Sequence, residues 1–245
     1  MILIRRELQV RYKQTALGVI WILLQPLVPA LIFAIVFGSF ARLPSGGAPY
    51  LLFAISGLVL YGLFASTVSR AGGSLIREGG LIAKIYFPRA VLPLASGLAS
   101  LVDFGVGLAV IIFLMVMAGQ PLGPAILAIP LILILTISLA LGLGLAVAAL
   151  SAHYRDVGMV VPFVLQLLLY GSPVVYSMEV LPRSIVDVFA LNPLVPLLEA
   201  FRWSLLGTAP PTLVQILLGS VTGIVMLIGG ILIFARTSRD IADVV

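Results

Sequence analysis

The sequence predicts an all-α integral membrane protein with six transmembrane helices, and three observations lead to that prediction. Apolar side chains make up 62% of the 245 residues and charged ones only 9%, whereas about a quarter of a soluble domain is charged. The apolar residues form continuous runs, not the alternating segments of about ten residues that build a membrane β-barrel. Because only helices and closed barrels satisfy their backbone in lipid, residues 1–245 are predicted to form a single helical transmembrane domain.

Six apolar segments are long enough to be membrane spans, since a crossing helix needs roughly 20 residues. They run over about 16–41, 51–69, 90–118, 125–150, 159–178 and 212–235. Most connections between them are short. The sequence therefore has no room for a sizeable soluble domain.

The Lys and Arg residues predict which side of the membrane each connection faces. If the N-terminus is cytoplasmic, 11 of the 14 basic residues are cytoplasmic, and only Arg42, Arg183 and Arg202 lie outside. Cytoplasmic loops carry the excess of basic residues in membrane proteins. Both termini are thus predicted to be cytoplasmic, and the net charge of +5 indicates topology and not nucleic-acid binding.

The segment before the first span, residues 1–15, predicts a separate helix at the membrane surface. Ile4, Leu8 and Tyr12 recur at i, i+4 and i+8, and basic and polar residues occupy the other faces. An amphipathic helix of this kind lies among lipid headgroups. A solvated basic tail is the alternative interpretation.

The connection between the last two spans predicts two short helices. Pro182 can begin the first, and Gly207 can end the second. At 1.5 Å per residue they would measure roughly 15 and 20 Å, too short for a hydrocarbon core of about 30 Å. The sequence therefore predicts a re-entrant hairpin over about 180–207 in the outer leaflet; the alternative is a helix lying flat on the surface.

The second helix of this hairpin carries three residues of interest. Glu199 and Arg202 are spaced i, i+3 and can pair, and Trp203 is suited to anchoring at the membrane interface.

Residues that could support catalysis are few. Cysteine is absent and histidine occurs once, at position 153, which excludes disulfides, cysteine-rich zinc sites and the two-histidine metalloprotease motif. An intramembrane serine protease of the rhomboid type needs Gly-x-Ser-Gly, but Ser56 lacks that context, and His153 lies at a predicted cytoplasmic helix end. No catalytic or metal-binding residues are therefore predicted.

Asp103 is the one acidic residue deep in a predicted span. Intramembrane carboxylates are functional candidates by default. Because the sequence shows no second intramembrane charge to accompany it, a structural hydrogen bond to a neighbouring helix is the favoured interpretation.

The cytoplasmic connection after the second span predicts a short amphipathic helix over about 74–87. Apolar residues form one side, with Arg77, Glu78 and Lys84 beside them, and Pro88 ends the helix. Such a helix suits docking to a soluble partner; a helix resting on headgroups is the alternative. No phosphate-binding GxxxxGK[ST] motif occurs, so any ATP that drives the protein must be bound by another chain.

Several short motifs occur in a specific order along the chain. They are Arg6-Glu7-Leu8, Arg11-Tyr12-Lys13-Gln14, Phe87-Pro88-Arg89, Tyr154-Arg155-Asp156, Ser172-Pro173-Val174-Val175-Tyr176 and Asn192-Pro193-Leu194. With them, essentially the whole chain resembles the membrane subunit of ABC-2 type exporters. The specific resemblance is to the polysaccharide and polyol-phosphate export permeases of bacterial O-antigen, capsule and wall teichoic acid systems.

The resemblance implies a homodimer in the bacterial inner membrane, with two copies of a separate ABC ATPase docked on its cytoplasmic side. ATP and magnesium would be bound by that ATPase. Residues 1–15 would be the interface helix, 74–87 the coupling helix and 180–207 the outer gate. The implied gate residues are Glu199, Arg202 and Trp203. The implied coupling residues are Arg77, Glu78, Lys84, Phe87, Arg89, Arg155 and Asp156.

A glycan path needs aromatic faces for sugar rings and polar groups for hydroxyls. Candidate lining residues on one side of the first span are Phe33 and Phe37, and those on the fifth are Gln166, Tyr170 and Ser177. The alternative for the phenylalanines is a lipid-facing or core position.

The predicted function is export of an undecaprenyl-linked glycan or polyol-phosphate polymer. Membrane lipid is the other predicted partner of the chain. An ABC-2 exporter of a small drug or lipid would show the same spans and remains an alternative. An intramembrane enzyme is disfavoured because the catalytic dyad and metal ligands are missing.

Overall fold

The computed structural model of the chain describes residues 18–78, 80, 88–154 and 156–237. Among these residues every regular element is helical, which confirms the predicted fold class. The helices are α1 (Gly18–Phe33), α2 (Tyr50–Gly72), α3 (Ser74–Arg77), α4 (Val91–Leu98), α5 (Ser100–Met117), α6 (Ile129–His153), α7 (Val157–Tyr170), α8 (Arg183–Ala190), α9 (Leu194–Leu206) and α10 (Leu213–Thr237). Single 3₁₀ turns at Pro124–Ala128 and Met178–Val180 and a π-helical stretch at Ala34–Phe40 complete the regular structure.

Five helical segments are long and apolar enough to cross a membrane. They are Leu23–Phe40, Tyr50–Gly72, Val91–Met117, Pro124–His153 and Leu213–Thr237. They coincide with the first, second, third, fourth and sixth predicted spans. The third consists of α4 and α5, which are separated only by Ala99.

The fifth predicted span is shorter than expected. A continuous helix over 159–178 was predicted, but α7 ends at Tyr170 after 14 residues, a rise of roughly 21 Å. The following Gly171-Ser172-Pro173 explains the difference, because proline has no amide hydrogen to donate and disfavours helical backbone in the residue before it. Residues 171–177, called the outer segment below, continue without a helix.

The two short helices predicted between the last spans are present as α8 and α9, bent by 89° relative to each other. Gly207 ends α9 in the left-handed conformation, with φ +67°, which glycine adopts without strain. The side chains of Leu197, Leu198 and Phe201 on α9 are buried in the main hydrophobic core. This packing argues against a helix lying flat on the surface.

α2 is the central helix of the bundle. Most of its residues are buried, and α1, α4, α5, α6, α7 and α9 all contact it. An apolar helix of this kind, surrounded by others, needs no polar face. Side chains along α2 therefore contact neighbouring helices over the whole length of the bundle.

Small residues bring neighbouring helices into direct backbone contact. A Cβ placed on Gly142 of α6 would lie 2.2 Å from the carbonyl oxygen of Met226 of α10, and one on Gly230 would lie 2.0 Å from that of Gly142. Such approaches are available only to glycine. Gly144 similarly faces α2, where its Cβ would lie 2.6 Å from that of Ala71.

The predicted cytoplasmic ends of the helices meet in a second, smaller core. Leu75 of α3, Leu92 of α4, Leu145 of α6 and Phe234 of α10 are buried together there. We call this the inner end of the molecule and the opposite one the outer end. The interface helix predicted over 1–15, and Lys84, Phe87 and Arg155, lie outside the described residues.

The bundle predicts a specific topology for reporter fusions. Residues 46 and 209, at the outer end, should be periplasmic, and residues 80 and 156 should be cytoplasmic, because the basic residues concentrate at the inner end. Alkaline phosphatase should therefore be active only when fused at 46 or 209, and a fluorescent protein should fluoresce only when fused at 80 or 156. Paired alkaline phosphatase and fluorescent protein fusions measure this. A cytoplasmic signal from position 209 would contradict the six-span arrangement.

Candidate functional site

The centre of the outer segment is buried although it is not helical. Ser172, Pro173, Val174 and Val175 all lie inside the bundle. A buried backbone outside a helix must find partners for its polar groups, and in a membrane protein these must come from protein. Each carbonyl from Tyr170 to Val175 accepts a hydrogen bond, and most of the donors are side chains.

Arg202 on α9 provides the strongest of these contacts. Its side chain is buried, with 3% relative exposure; Nη1 donates to the carbonyl of Pro173 at 2.6 Å and Nη2 to that of Val174 at 2.5 Å. The guanidinium carbon also lies 3.6 Å from the centroid of the Phe53 ring on α2. Hydrogen bonds from a charged donor are about twice as strong as neutral ones, and a desolvated cation–π contact adds about 2 kcal/mol. Arg202 therefore joins α9, α2 and the outer segment.

The expected pairing of Glu199 with Arg202 takes a different form. The guanidinium faces the two carbonyls, while Oε2 of Glu199 accepts a hydrogen bond from Nε2 of Gln215 at 3.0 Å. This bond connects α9 to α10. Glu199 still lies close enough for its charge to stabilise the buried cation, and Trp203 is partly exposed on the same helix.

Asn192 connects the outer segment to the start of α9. Its Nδ2 donates to the carbonyl of Gly171 at 3.1 Å and to Oγ of Ser172 at 2.8 Å. Its Oδ1 accepts from the amide of Leu194 at 3.0 Å, which satisfies one of the free amides at that helix terminus. The Ser-Pro and Asn-Pro motifs are thus hydrogen-bonded to each other.

Two tyrosines and one backbone amide satisfy the remaining carbonyls. The hydroxyl of Tyr50 donates to Val175, and that of Tyr176 donates to Tyr170 at 2.6 Å. The amide of Val174 donates to Ser172 at 2.7 Å.

Gly57 lets the outer segment lie directly against α2. A Cβ at this position would lie 2.0 Å from the carbonyl oxygen of Val174 and 2.6 Å from Nη2 of Arg202. Any larger residue would displace the carbonyl and the cation together.

A second polar region, called the polar groove below, consists of two adjoining cavities. One, of about 270 Å³, lies between α1, α2 and α5 and is bordered by polar side chains that include Gln25, Ser100 and Asp103. The other, of about 460 Å³, lies between α2 and α7 and is bordered by Arg70 and Gln166. Tyr61, Ala65, Ser66 and Leu169 border both cavities.

Asp103 forms an ion pair with Arg70 in this groove, between Oδ2 and Nη2. The sequence interpretation that Asp103 has no charged intramembrane partner is therefore wrong. Arg70 is near the inner end of α2, and its long side chain extends along the bundle to reach the carboxylate. Arg77 of α3 in turn donates from Nη2 to the backbone carbonyl of Arg70 at 2.8 Å.

The predicted lining residues occupy different places. Gln166 borders the polar groove, whereas Tyr170 lies on the surface with 58% relative exposure. The Phe33 and Phe37 rings stack on each other at 5.6 Å and, partly buried, pack against the core. Ser177 lies beyond the end of α7, where its Oγ accepts from the amide of Glu179 at 3.3 Å, so it does not share a helical face with Gln166.

The described coupling residues lie at the inner end. Arg77 and Asp156 are exposed, and Glu78 and Arg89 are partly exposed. His153 is exposed at the end of α6, with Nδ1 3.3 Å from the carbonyl oxygen of Ala149. Across the part of the chain that the structure describes, no three His, Asp or Glu side chains come together to hold a metal ion.

Comparison with known proteins gives a consistent result. The model of the ABC-2 type transporter family matches residues 1–206. The O-antigen export system permease protein RfbA of Klebsiella pneumoniae is 28% identical over 245 residues, which cover 99% of this chain and 93% of that protein. RfbA of Myxococcus xanthus is 26% identical over 82% of the chain and 77% of its own length. The polysialic acid transport protein KpsM of Escherichia coli is 26% identical over 80% of the chain and 77% of its own length.

Replacing Arg202 should open the outer segment. Arg202→Met leaves the carbonyls of Pro173 and Val174 without donors, at a cost of about 1–3 kcal/mol for each buried group. Since the chain has no cysteine, a single Val174→Cys change reports exposure directly. Labelling of Cys at position 174 by a membrane-impermeant maleimide should rise by at least about tenfold in the Arg202→Met background.

The matched control is Arg42→Met, which removes an exposed arginine at the same end. It should leave labelling unchanged, and Arg202→Lys, which keeps the charge with fewer fixed donors, should give an intermediate rate. Equal labelling in all backgrounds would show that Arg202 does not hold the segment.

Proposed function

The chain belongs to the ABC-2 type transporter family, and from this premise we propose that it is the membrane subunit of an exporter that carries a polysaccharide across the bacterial inner membrane. The observation that carries the proposal is the match over 99% of the chain to a protein named as an O-antigen export permease. A second named relative transports polysialic acid. Polysaccharide is the feature common to these names.

Export is powered by a separate ABC ATPase, two copies of which dock beneath a homodimer of this chain. ATP and magnesium are bound by that partner. Two observations support this division: the sequence contains no phosphate-binding loop, and α3 lies at the inner end, where a cytoplasmic partner would bind. Both termini are then cytoplasmic, in agreement with the distribution of basic residues.

The cargo is a polymer joined to an undecaprenyl carrier, either a glycan or a polyol phosphate of the teichoic acid type. The carrier would remain in lipid while the polymer passes through the protein. A polar path is required for this, because hydroxyl groups are costly to transfer into hydrocarbon. The polar groove, with its two adjoining cavities, is the observation that supports such a path.

The outer segment with α8 and α9 acts as the outer gate. Its closed state is held by Arg202 and Asn192, whose bonds must be released for a polymer to leave. α2 connects this gate to the inner end, because it carries both Phe53, under Arg202, and Arg70, which accepts the hydrogen bond from Arg77. A displacement of the coupling helix is thereby transmitted along one continuous helix.

Deletion of the gene in its own strain tests the function. Surface polysaccharide, detected by whole-cell immunoblot or lectin binding, should be lost, and lipid-linked polymer should accumulate in the membrane fraction. Expression of the wild-type chain should restore export. Unchanged surface polysaccharide together with a change in drug or lipid efflux would favour the small-molecule exporter.

The coupling helix can be tested separately with Glu78→Ala, Lys84→Ala and Phe87→Ala combined. A few central residues carry most of the binding energy of an interface, so co-purification of the ATPase, or coupling of its hydrolysis to export, should fall by about tenfold or more. The matched control also removes one acidic, one basic and one apolar side chain, but from the outer end, with Glu179→Ala, Arg42→Ala and Leu127→Ala. Wild-type values for co-purification, hydrolysis and export in the first variant would contradict the assignment.

A further inference from the structure

The Arg70–Asp103 ion pair lies where the two cavities of the polar groove adjoin. Asp103 borders the cavity of about 270 Å³ and Arg70 the one of about 460 Å³. Both side chains remain partly accessible, with 15% relative exposure for Arg70 and 19% for Asp103. Charged residues inside a membrane bundle are costly, and they typically mark the path of a substrate.

Ser100 adds an independent indication that the groove takes a ligand. Its side chain is fully buried, and its Oγ has no hydrogen-bond partner within the described residues. It borders the same cavity as Asp103. An unpaired buried hydroxyl costs about 1–3 kcal/mol, and a rotation of this side chain that turns Oγ into the cavity would let a hydroxyl group of a bound molecule remove that cost.

The charges in the groove favour a neutral ligand rich in hydroxyl groups over an anion. Asp103 offsets the charge of Arg70, so a phosphate approaching the arginine would also meet the carboxylate. A hydroxyl group can instead donate to the carboxylate and accept from the guanidinium. The amides of Gln25 and Gln166 offer a donor and an acceptor each.

The shape and composition of the groove agree with this ligand class. Ligand pockets of roughly 300–1,000 Å³ are mostly apolar, with a few polar groups that orient the ligand. The rings of Tyr61 and Phe104 border the smaller cavity and give it an apolar wall. The polar groups of Ser66, Ser100 and Asp103 border the same space.

We propose that the polar groove binds sugar residues of the exported polymer through their hydroxyl groups, with the Arg70–Asp103 pair at its centre. This inference rests on the proposed function. It assigns cargo contacts to α2 and α5, in addition to the first and fifth predicted spans.

The first experiment replaces the ion pair by apolar residues of similar size, Arg70→Met with Asp103→Leu. Such exchanges are often neutral for stability, so the complex with the ATPase should still assemble. Export of polysaccharide should nevertheless fall at least about tenfold. If the double variant assembles and exports at the wild-type rate, the pair is structural only and the proposal is overturned.

The second experiment leaves the ion pair intact. Ser66→Cys places a single thiol where both cavities meet, and Ala209→Cys, in an exposed outer loop, is the matched control. Cells that make the polysaccharide and cells blocked in its synthesis are treated with N-ethylmaleimide. Polymer in the groove should slow labelling at position 66 several-fold and leave position 209 unchanged.

Equal labelling of Cys at position 66 in both strains overturns the proposal. Because this experiment leaves the ion pair intact, it gives an answer even if the double variant fails to assemble. The wild-type complex is assayed for export in the same strain. Failure of that export would contradict the proposed function itself, whereas normal export with an unprotected position 66 would contradict only the sugar-binding groove.

Discussion

The fold depends on one constraint: a buried backbone that leaves helical geometry must have each of its carbonyls paired by protein groups. Pro173 ends α7 early, and six consecutive carbonyls from Tyr170 to Val175 then accept hydrogen bonds that are not those of a helix; four of these carbonyls belong to the buried residues 172–175. Arg202, Asn192 and Tyr50 supply donors from three different elements. The position of the α8–α9 hairpin follows from this, since Arg202 and Asn192 reach those carbonyls only if the hairpin packs into the bundle.

α2 brings the functional regions into one rigid element. Gly57 lies against the outer segment, Tyr61 and Ser66 border the polar groove, and Arg70 receives the hydrogen bond from α3. At 1.5 Å per residue, the distance along the helix from Gly57 to Arg70 is roughly 20 Å. A bundle that must coordinate an inner and an outer end across a membrane needs such a connection, and burial on all sides makes α2 a stiff one.

The sequence predicted the helical spans well, because long apolar runs report directly the free energy of moving side chains into lipid. Five spans and the two short helices α8 and α9 were predictable in this way. Gly171-Ser172-Pro173 indicated the early end of α7, but the apolar residues on both sides led to the prediction of one continuous span. The ion pair was missed because position along the chain assigned Arg70 to the cytoplasmic edge, whereas its side chain extends inward. Similarly, i, i+3 spacing suggested that Arg202 pairs with Glu199, but the unpaired carbonyls of the outer segment compete for the same donors.

The glycine contact between α6 and α10 has a consequence for how the protein can move. At Gly142 and Gly230 the two backbones touch, with no side chain between them to change rotamer. Close-packed surfaces of this kind resist both separation and rotation, because either would open a void that nothing nearby can fill. α6 and α10 are therefore expected to move as one unit, so the displacements of a transport cycle must occur at contacts other than this one, such as the irregular segment that follows α7.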